Sequence, residues 1–336
     1  MAKVKSNKKS VARKVPVIAT LASKKTQNKA VETPVKKKNS TLLFAIVGLL
    51  LAFTIGEILL VTKESTRKQI KPEFVRLWDH HPYTGIWYFN ENGDSLFGVD
   101  PNRGQVIQFN KESGQMIHVY NVETPINNCI VDLEMNINIL DKIGIVHRFN
   151  KNLKLKDTIT LKSGTTSRWM EVDSKGNIFV VDGKDNSIHK YGPDFKEILS
   201  IDAVNKSKYK FVDIDKIYAG PNDDIYCLVG MASGQHGVAI FSNDGLFKKV
   251  WPLRNIKKWS NYQTLAITPE GNVYFNVSDE NKINVYDNNG KMLSSFDSCK
   301  DNSCVITYPC AVIGGMSGNI YILTHHILTL KNILYK

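Results

Sequence analysis

The sequence predicts an all-β fold, a six-bladed β-propeller preceded by a single N-terminal transmembrane helix and a disordered basic tail. Three observations predict it. A Gly/Asn/Asp-bounded strand pattern recurs with anchors at Asp94, Asn136, Asn177, Asp224, Asn272 and Asn319, every 41 to 48 residues. Self-similarity at that period, with about four short strands per copy, is the mark of a propeller, because one sheet cannot hide its two faces until neighbours stack on it. The last copy is short, with 17 residues after Asn319. Finally, one 20-residue apolar run, Leu42–Val61, stands between a lysine-rich tail and the repeats.

The tail comes first. Residues 1–40 hold 12 lysines and arginines against one acid, Glu32, and no aromatic side chain. Such a segment cannot bury enough apolar surface to offset the entropy of ordering it. The chain carries a formal +12, and nearly all of it lies in this tail. The rest is electrically balanced, which argues against a nucleic-acid partner for the propeller.

Residues 41–62 read as an uncleaved signal anchor. Twenty apolar residues match a hydrocarbon core of about 30 Å. A cleaved signal peptide has a shorter apolar region, and no small-residue cleavage pattern follows Val61. The basic tail stays cytoplasmic by the positive-inside rule, so the propeller is expected outside the cytoplasm, in a periplasm, on a cell surface or in a lumen. The bilayer is thus one expected partner. Glu57 is the ionisable residue in the span. It reads as a snorkelling or protonated group, or as a contact with a second membrane subunit that Gly48 and Gly56 would let approach closely. Residues 63–72 form a juxtamembrane linker.

Residues 73–336 form the propeller. The template copy is Asp173–Ser200, with turns at Gly176-Asn177, Asp182–Asn186 and Gly192–Asp194 between alternating strands. Each anchor is preceded by one more strand, giving four per blade. The short sixth copy lacks an outer strand and would leave an open edge. Residues 73–80 are expected to close that last blade, with Phe74–Trp78 as its outer strand.

The phrases DSKGNIFVVDGKDNSIHKYG and TPEGNVYFNVSDENKINVYDNNGK resemble the NHL repeat, with its Gly-Asn turn, apolar strand ending near Asp, and apolar-x-x-aromatic strand. The resemblance covers roughly residues 83–336 and implies a six-bladed propeller. Some related six-bladed propellers are metal-dependent lyases or hydrolases with His or Glu/Asn/Asp ligands around the channel, and this chain does not reproduce those ligand sets residue by residue.

Candidate functional positions follow from the channel mouth where the innermost strands begin: Asn127, Arg168, Asp215 and Gln263, with Glu171 as a nearby carboxylate. Arg168 and Asp215 are expected to pair across a blade boundary. Cys129 and Cys227 sit in apolar alternation and read as core thiols. Cys299, Cys304 and Cys310 share one connector, where a disulfide is expected. Cys299–Cys304 is the favoured pair, with a bond to Cys310 as the alternative. The adjacent pairs His80-His81 and His325-His326 would meet near the last blade, but alternate strand residues face opposite ways and do not converge on one ion. Two N-x-S sequons, Asn205 and Asn276, matter only in a secretory pathway.

No hydrolase elbow, zincin motif or phosphate loop is present. The reading is a membrane-anchored, extracytoplasmic binding or scaffold module with a protein partner, a subunit of a larger envelope or membrane complex. The alternative is a metal-dependent lyase or hydrolase with its site in the channel. No cofactor is expected, a channel Ca²⁺ or Zn²⁺ belonging to that alternative.

Overall fold

The computed structural model describes residues 73–78, 88–92 and 95–331, apart from 102, 123, 163–166, 204–208, 210, 255, 257–262, 300–303, 315–318 and 325–326. The chain divides into two units, Met1–Arg67 and Lys68–Lys336. The expected span, with Gly48, Gly56 and Glu57, lies outside the described residues. Among the described residues no helix is long and apolar enough to cross a membrane.

The described strands form six four-stranded antiparallel sheets. The chain first gives β1 (Glu73–Trp78). Blade one is β2 (Tyr88–Asn92), β3 (Ser95–Asp100), β4 (Gln105–Asn110) and β5 (Met116–Asn121). Blade two is β6 (Ile126–Val131), β7 (Ile137–Asp141), β8 (Ile145–Phe149) and β9 (Leu155–Thr160). Blade three is β10 (Ser167–Val172), β11 (Ile178–Asp182), β12 (Ser187–Tyr191) and β13 (Glu197–Ile201). Blade four is β14 (Phe211–Ala219), β15 (Ile225–Met231), β16 (His236–Phe241) and β17 (Phe247–Pro252). Blade five is β18 (Leu265–Ile267), β19 (Val273–Val277), β20 (Lys282–Tyr286) and β21 (Met292–Phe296). The last blade is β22 (Ala311–Gly314), β23 (Asn319–Leu323), β24 (Ile327–Lys331) and, at its outer edge, β1.

The innermost strands β2, β6, β10, β14, β18 and β22 each pack against the next, and β2 packs against β22. That cyclic order makes the fold a β-propeller. β1 runs antiparallel to β24, from Glu73 opposite Lys331 to Trp78 opposite Ile327.

Burial follows from stacking. The second strands are covered on both faces, so β7, β11 and β19 are buried at every position. The outer strand β9 is exposed at five of its six positions. The core is the set of blade-to-blade interfaces. Between blades three and four, for example, Trp169, Phe179, Val181 and Ile188 pack on Phe211, Ile217, Cys227 and Phe241. Cys227 is buried there, and Cys129 is buried between blades one and two; both are inert thiols, and burial pushes the Cys129 thiol up to about 12.

The turn after each innermost strand explains the repeat anchor. Asp173 accepts bonds from the Lys175 N–H (2.9 Å), the Asn177 N–H (2.8 Å) and the Asn177 side chain (2.7 Å). The position before Asn177 needs a left-handed backbone, and Gly176 supplies it at φ +82°. Blade two keeps the same turn without glycine: Met135 stands at φ 66°, and Asp132 holds the N–H groups of Glu134 and Asn136. In blade four Asp223 takes the position at φ 60°.

Candidate functional site

The channel differs at its two ends. From the upstream end, where the inner strands begin, to the floor of the downstream cavity, polar side chains tie blade two to three, four to five and five to six. Asn127 donates to the Ser167 carbonyl (2.8 Å). The amide of Asn128 clamps the backbone of Met170, donating to its carbonyl (3.0 Å) and accepting from its N–H (2.9 Å). Thr264 does the same to Val312, at 3.2 and 2.7 Å. Lys216, 3 % exposed, donates to the Gln263 carbonyl (2.8 Å) and lies over the Trp169 ring at 5.5 Å. Burial depresses its pKa, and the Asp215 carboxylate at 3.3 Å opposes that.

The mouth residues thus make structural contacts of their own. Gln263 is buried, and its carbonyl is taken by Lys216. Arg168 is exposed and donates to the Gly183 carbonyl (3.3 Å). The expected Arg168–Asp215 pair does not form: Asp215 has its chain neighbour Lys216 instead, because a register shift between Ile214 and Lys216 turns the strand there.

At the downstream end, where the inner strands finish, lies a cavity of about 640 Å³. Its walls are largely apolar, with Ile130, Met170, Leu265, Ile267, Val312 and Ile313 among them, and Trp169 and Tyr218 add aromatic surface. Of the five mouth candidates, Glu171 lines this cavity, while Asn127, Arg168, Asp215 and Gln263 lie outside its lining. Burial pushes the Glu171 carboxyl up to about 7, and the Val172 N–H at 3.0 Å pulls the other way. A carboxyl raised in this way can hold or release a proton closer to neutral pH than a free one, which suits a donor, an acceptor or a counter-charge.

Three more carboxylates mark the rim: Asp132, Asp173 and Asp223. All three serve turns. Asp132 is bonded by Asn136, Asn138 and Arg148 (2.9 Å). Burial alone would raise its pKa, but these bonds outweigh burial and lower it. Asp173 accepts from Asn177 and from Asn243 (2.8 Å). Asp223 accepts the Ser174 N–H (2.9 Å) and faces Lys175 at 3.7 Å. Lys190 reaches the Asn243 side chain and extends the network to a neighbouring blade. Among the described residues no group of three or more His, Cys, Asp or Glu side chains is placed to hold a metal ion. The donor set in the cavity does not fit a resident cation, since its four carboxylates all accept hydrogen bonds and no three of them converge.

Elsewhere, Cys299 and Cys304 form the expected disulfide, and Cys310 is a free thiol. His80, His81, His325 and His326 lie outside the described residues. The Asn276 sequon is fully buried and donates to the Pro309 carbonyl (2.8 Å), which excludes a glycan there in the folded protein. Asn205 lies outside the described residues. One constellation was not anticipated. Ser187 sits 3.0 Å from His189 Nε2, and His189 Nδ1 sits 2.7 Å from Glu197. Ser187 and His189 are both buried in blade three, and Lys162 from the end of blade two pairs with Glu197 at 2.8 Å. This arrangement bridges two blades.

No family model matches the chain, and no curated protein matches it in sequence. Solved structures do. A streptogramin B lyase is 13 % identical, with a TM-score of 0.55, covering 76 % of this chain and 96 % of its own. A catalytically inactive histidine-to-alanine variant of virginiamycin B lyase from Staphylococcus aureus, solved with quinupristin, is 11 % identical, with a TM-score of 0.53, covering 76 % and 83 %. A gluconolactonase from Xanthomonas campestris is 11 % identical, with a TM-score of 0.53, covering 79 % and 97 %. The likeness establishes the propeller fold and nothing beyond it.

Proposed function

We propose that the chain is a membrane-anchored, extracytoplasmic propeller of the six-bladed, NHL-like kind, and that it binds a ligand or partner as a subunit of a larger membrane or envelope complex. The observation that carries this reading is the downstream cavity. It is roomy and apolar, and its rim carboxylates are spent on turns. Apolar walls with a few placed polar groups are what a binding pocket needs. Residues 41–62 supply the anchor and the basic tail its orientation, with the propeller outside the cytoplasm and the bilayer as a partner. Gly48, Gly56 and Glu57 are the proposed contacts with a neighbouring membrane subunit. Gentle detergent extraction followed by native sizing tests this. A species larger than one chain in its micelle, with a co-purifying protein, is the expected result; a lone monomer contradicts it.

A second reading is a metal-dependent lyase or hydrolase acting at the channel. Its support is that two of the structural neighbours are named lyases and another a gluconolactonase, together with a carboxyl poised for proton transfer at Glu171. The inactive neighbour lost a histidine, whereas the described lining of this cavity holds none. Metal analysis of the purified chain decides between the two. Stoichiometric Ca²⁺ or Zn²⁺ favours the enzyme, and its absence favours the binding module.

A further inference from the structure

We propose that the downstream cavity is a binding site for a small amphiphilic amine, its apolar body against Met170, Leu265, Ile267 and Val312, its ammonium group against Glu171, reached from the face on which the N-terminal tether joins the propeller. The proposal deepens the binding reading above and rests on it.

The size fits first. A cavity of about 640 Å³ lies within the range of roughly 300–1,000 Å³ that takes a whole small molecule. The chemistry fits next. No lysine or arginine is among the described lining residues, so an anionic head group would meet no counter-charge. The described charged groups that share the cavity lining with Glu171 are acidic: Asp132 beyond β6, Asp173 beyond β10 and Asp223 beyond β14. From β18 the cavity receives Thr268 and from β22 no charged side chain. The cations nearby, Arg148, Lys175 and Lys190, are engaged with Asp132, Asp223 and Asn243. A buried carboxyl in apolar surroundings is costly as a lone anion and is relieved by a cation brought in with the ligand.

The register of the last blade shows which face the chain enters on. Gly314 lines the cavity. Across the last blade Gly314 stands opposite Ile320, Ile320 opposite Leu330, and Leu330 opposite Phe74. The chain therefore joins the propeller at Glu73 on the same face that carries the cavity.

The test is calorimetric titration of the full chain in a neutral detergent with phenylbutylamine and its uncharged analogue phenylbutanol. At about pH 8, where Glu171 is ionised, the amine should bind at least about tenfold tighter than the alcohol, as a charge-assisted contact provides. That advantage should shrink at about pH 6, when the carboxyl is protonated. Glu171→Gln should erase the advantage at the higher pH and leave alcohol binding in place. Ala219→Phe, which puts a ring into the cavity from the half-buried end of β14, should weaken both probes. Equal affinity for the two probes at the higher pH, an undiminished amine advantage in Glu171→Gln, or binding of neither probe overturns the proposal. An alkaline carbonate wash of membranes tests the anchor separately. If the amine arm fails while the chain stays in the membrane fraction, the ligand class falls and the anchored reading stands. If the chain washes off while the amine arm holds, the anchor falls and the ligand class stands.

Discussion

At the upstream end of the channel, Asn127 and Lys216 reach from one blade to the backbone of the next and are held there. At the downstream end, Glu171 stands among apolar side chains with the N–H of Val172 on one oxygen. Both ends are built by the same inner strands. The difference lies in what each polar group is occupied with. Upstream, the described polar side chains of Asn127 and Lys216 are taken up in holding blade to blade. Downstream, the Asp turns satisfy themselves, and the channel stays open around one carboxyl. A propeller needs one end fastened, and the other end is then free to vary.

Breaking the fastened end should cost the most. Lys216→Ala removes a buried cation shared by three blades and should destabilise the fold by about 3–5 kcal/mol, in the range for breaking a buried ionic contact. Urea unfolding checks this, and at permissive temperature the variant should bind phenylbutylamine as the parent does. Asn128→Ala unmakes two hydrogen bonds to the buried backbone of Met170 and should cost about 2–4 kcal/mol. The same denaturation experiment reads it.

The open end should respond to pH. The Glu171 carboxyl is raised in the folded chain from 4.5 to about 7, so the folded state holds that proton more tightly than the unfolded state. Its contribution to stability is fully present below the unfolded value and is lost as pH rises through the folded one. Because the side chain keeps some contact with solvent in the channel, the loss should be about 1–3 kcal/mol between those values. Glu171→Gln should flatten that part of the stability profile, and a parallel slope in parent and variant would contradict the assignment.

The smallest effect concerns a turn. Met135 holds the left-handed position that Gly176 fills in blade three. Met135→Gly should stabilise the protein by about 0.5–1 kcal/mol, the relief of the Cβ clash less the added freedom of glycine when unfolded. A melting-temperature rise checks it.

The repeat was legible because the Asp-x-x-x-Asn turn is written in residue types: Asp173 and Asn177 make their bonds locally, within five residues. Blade two shows the limit of that legibility. Met135 breaks the glycine rule, yet Asp132 and Asn136 keep the turn by the same hydrogen bonds. The disulfide at Cys299–Cys304 was legible from short spacing in the connector between the last two blades. The ends of the channel were not. Aligned positions pointed to Asn127, Arg168, Asp215 and Gln263, but which of them faces the channel depends on register shifts. One lies between Ser167 and Trp169, others between Ile126 and Asn128 and between Ile214 and Lys216. Each shift re-aims the side chains beyond it, and no local pattern announces it. Lys216 reads in sequence as an ordinary exposed lysine of an alternating strand. It is buried because the neighbouring blade offers it a carbonyl, a contact spanning 47 residues.

Hydrogen exchange with and without phenylbutylamine tests the central claim, that recognition belongs to the downstream end, most directly. Protection should rise in the turns around Asp132–Met135, Asp173–Gly176 and Gly220–Asp224, and stay unchanged at Ser167–Arg168 and Phe211–Lys216. Protection confined to those upstream segments, or none at all, would contradict it.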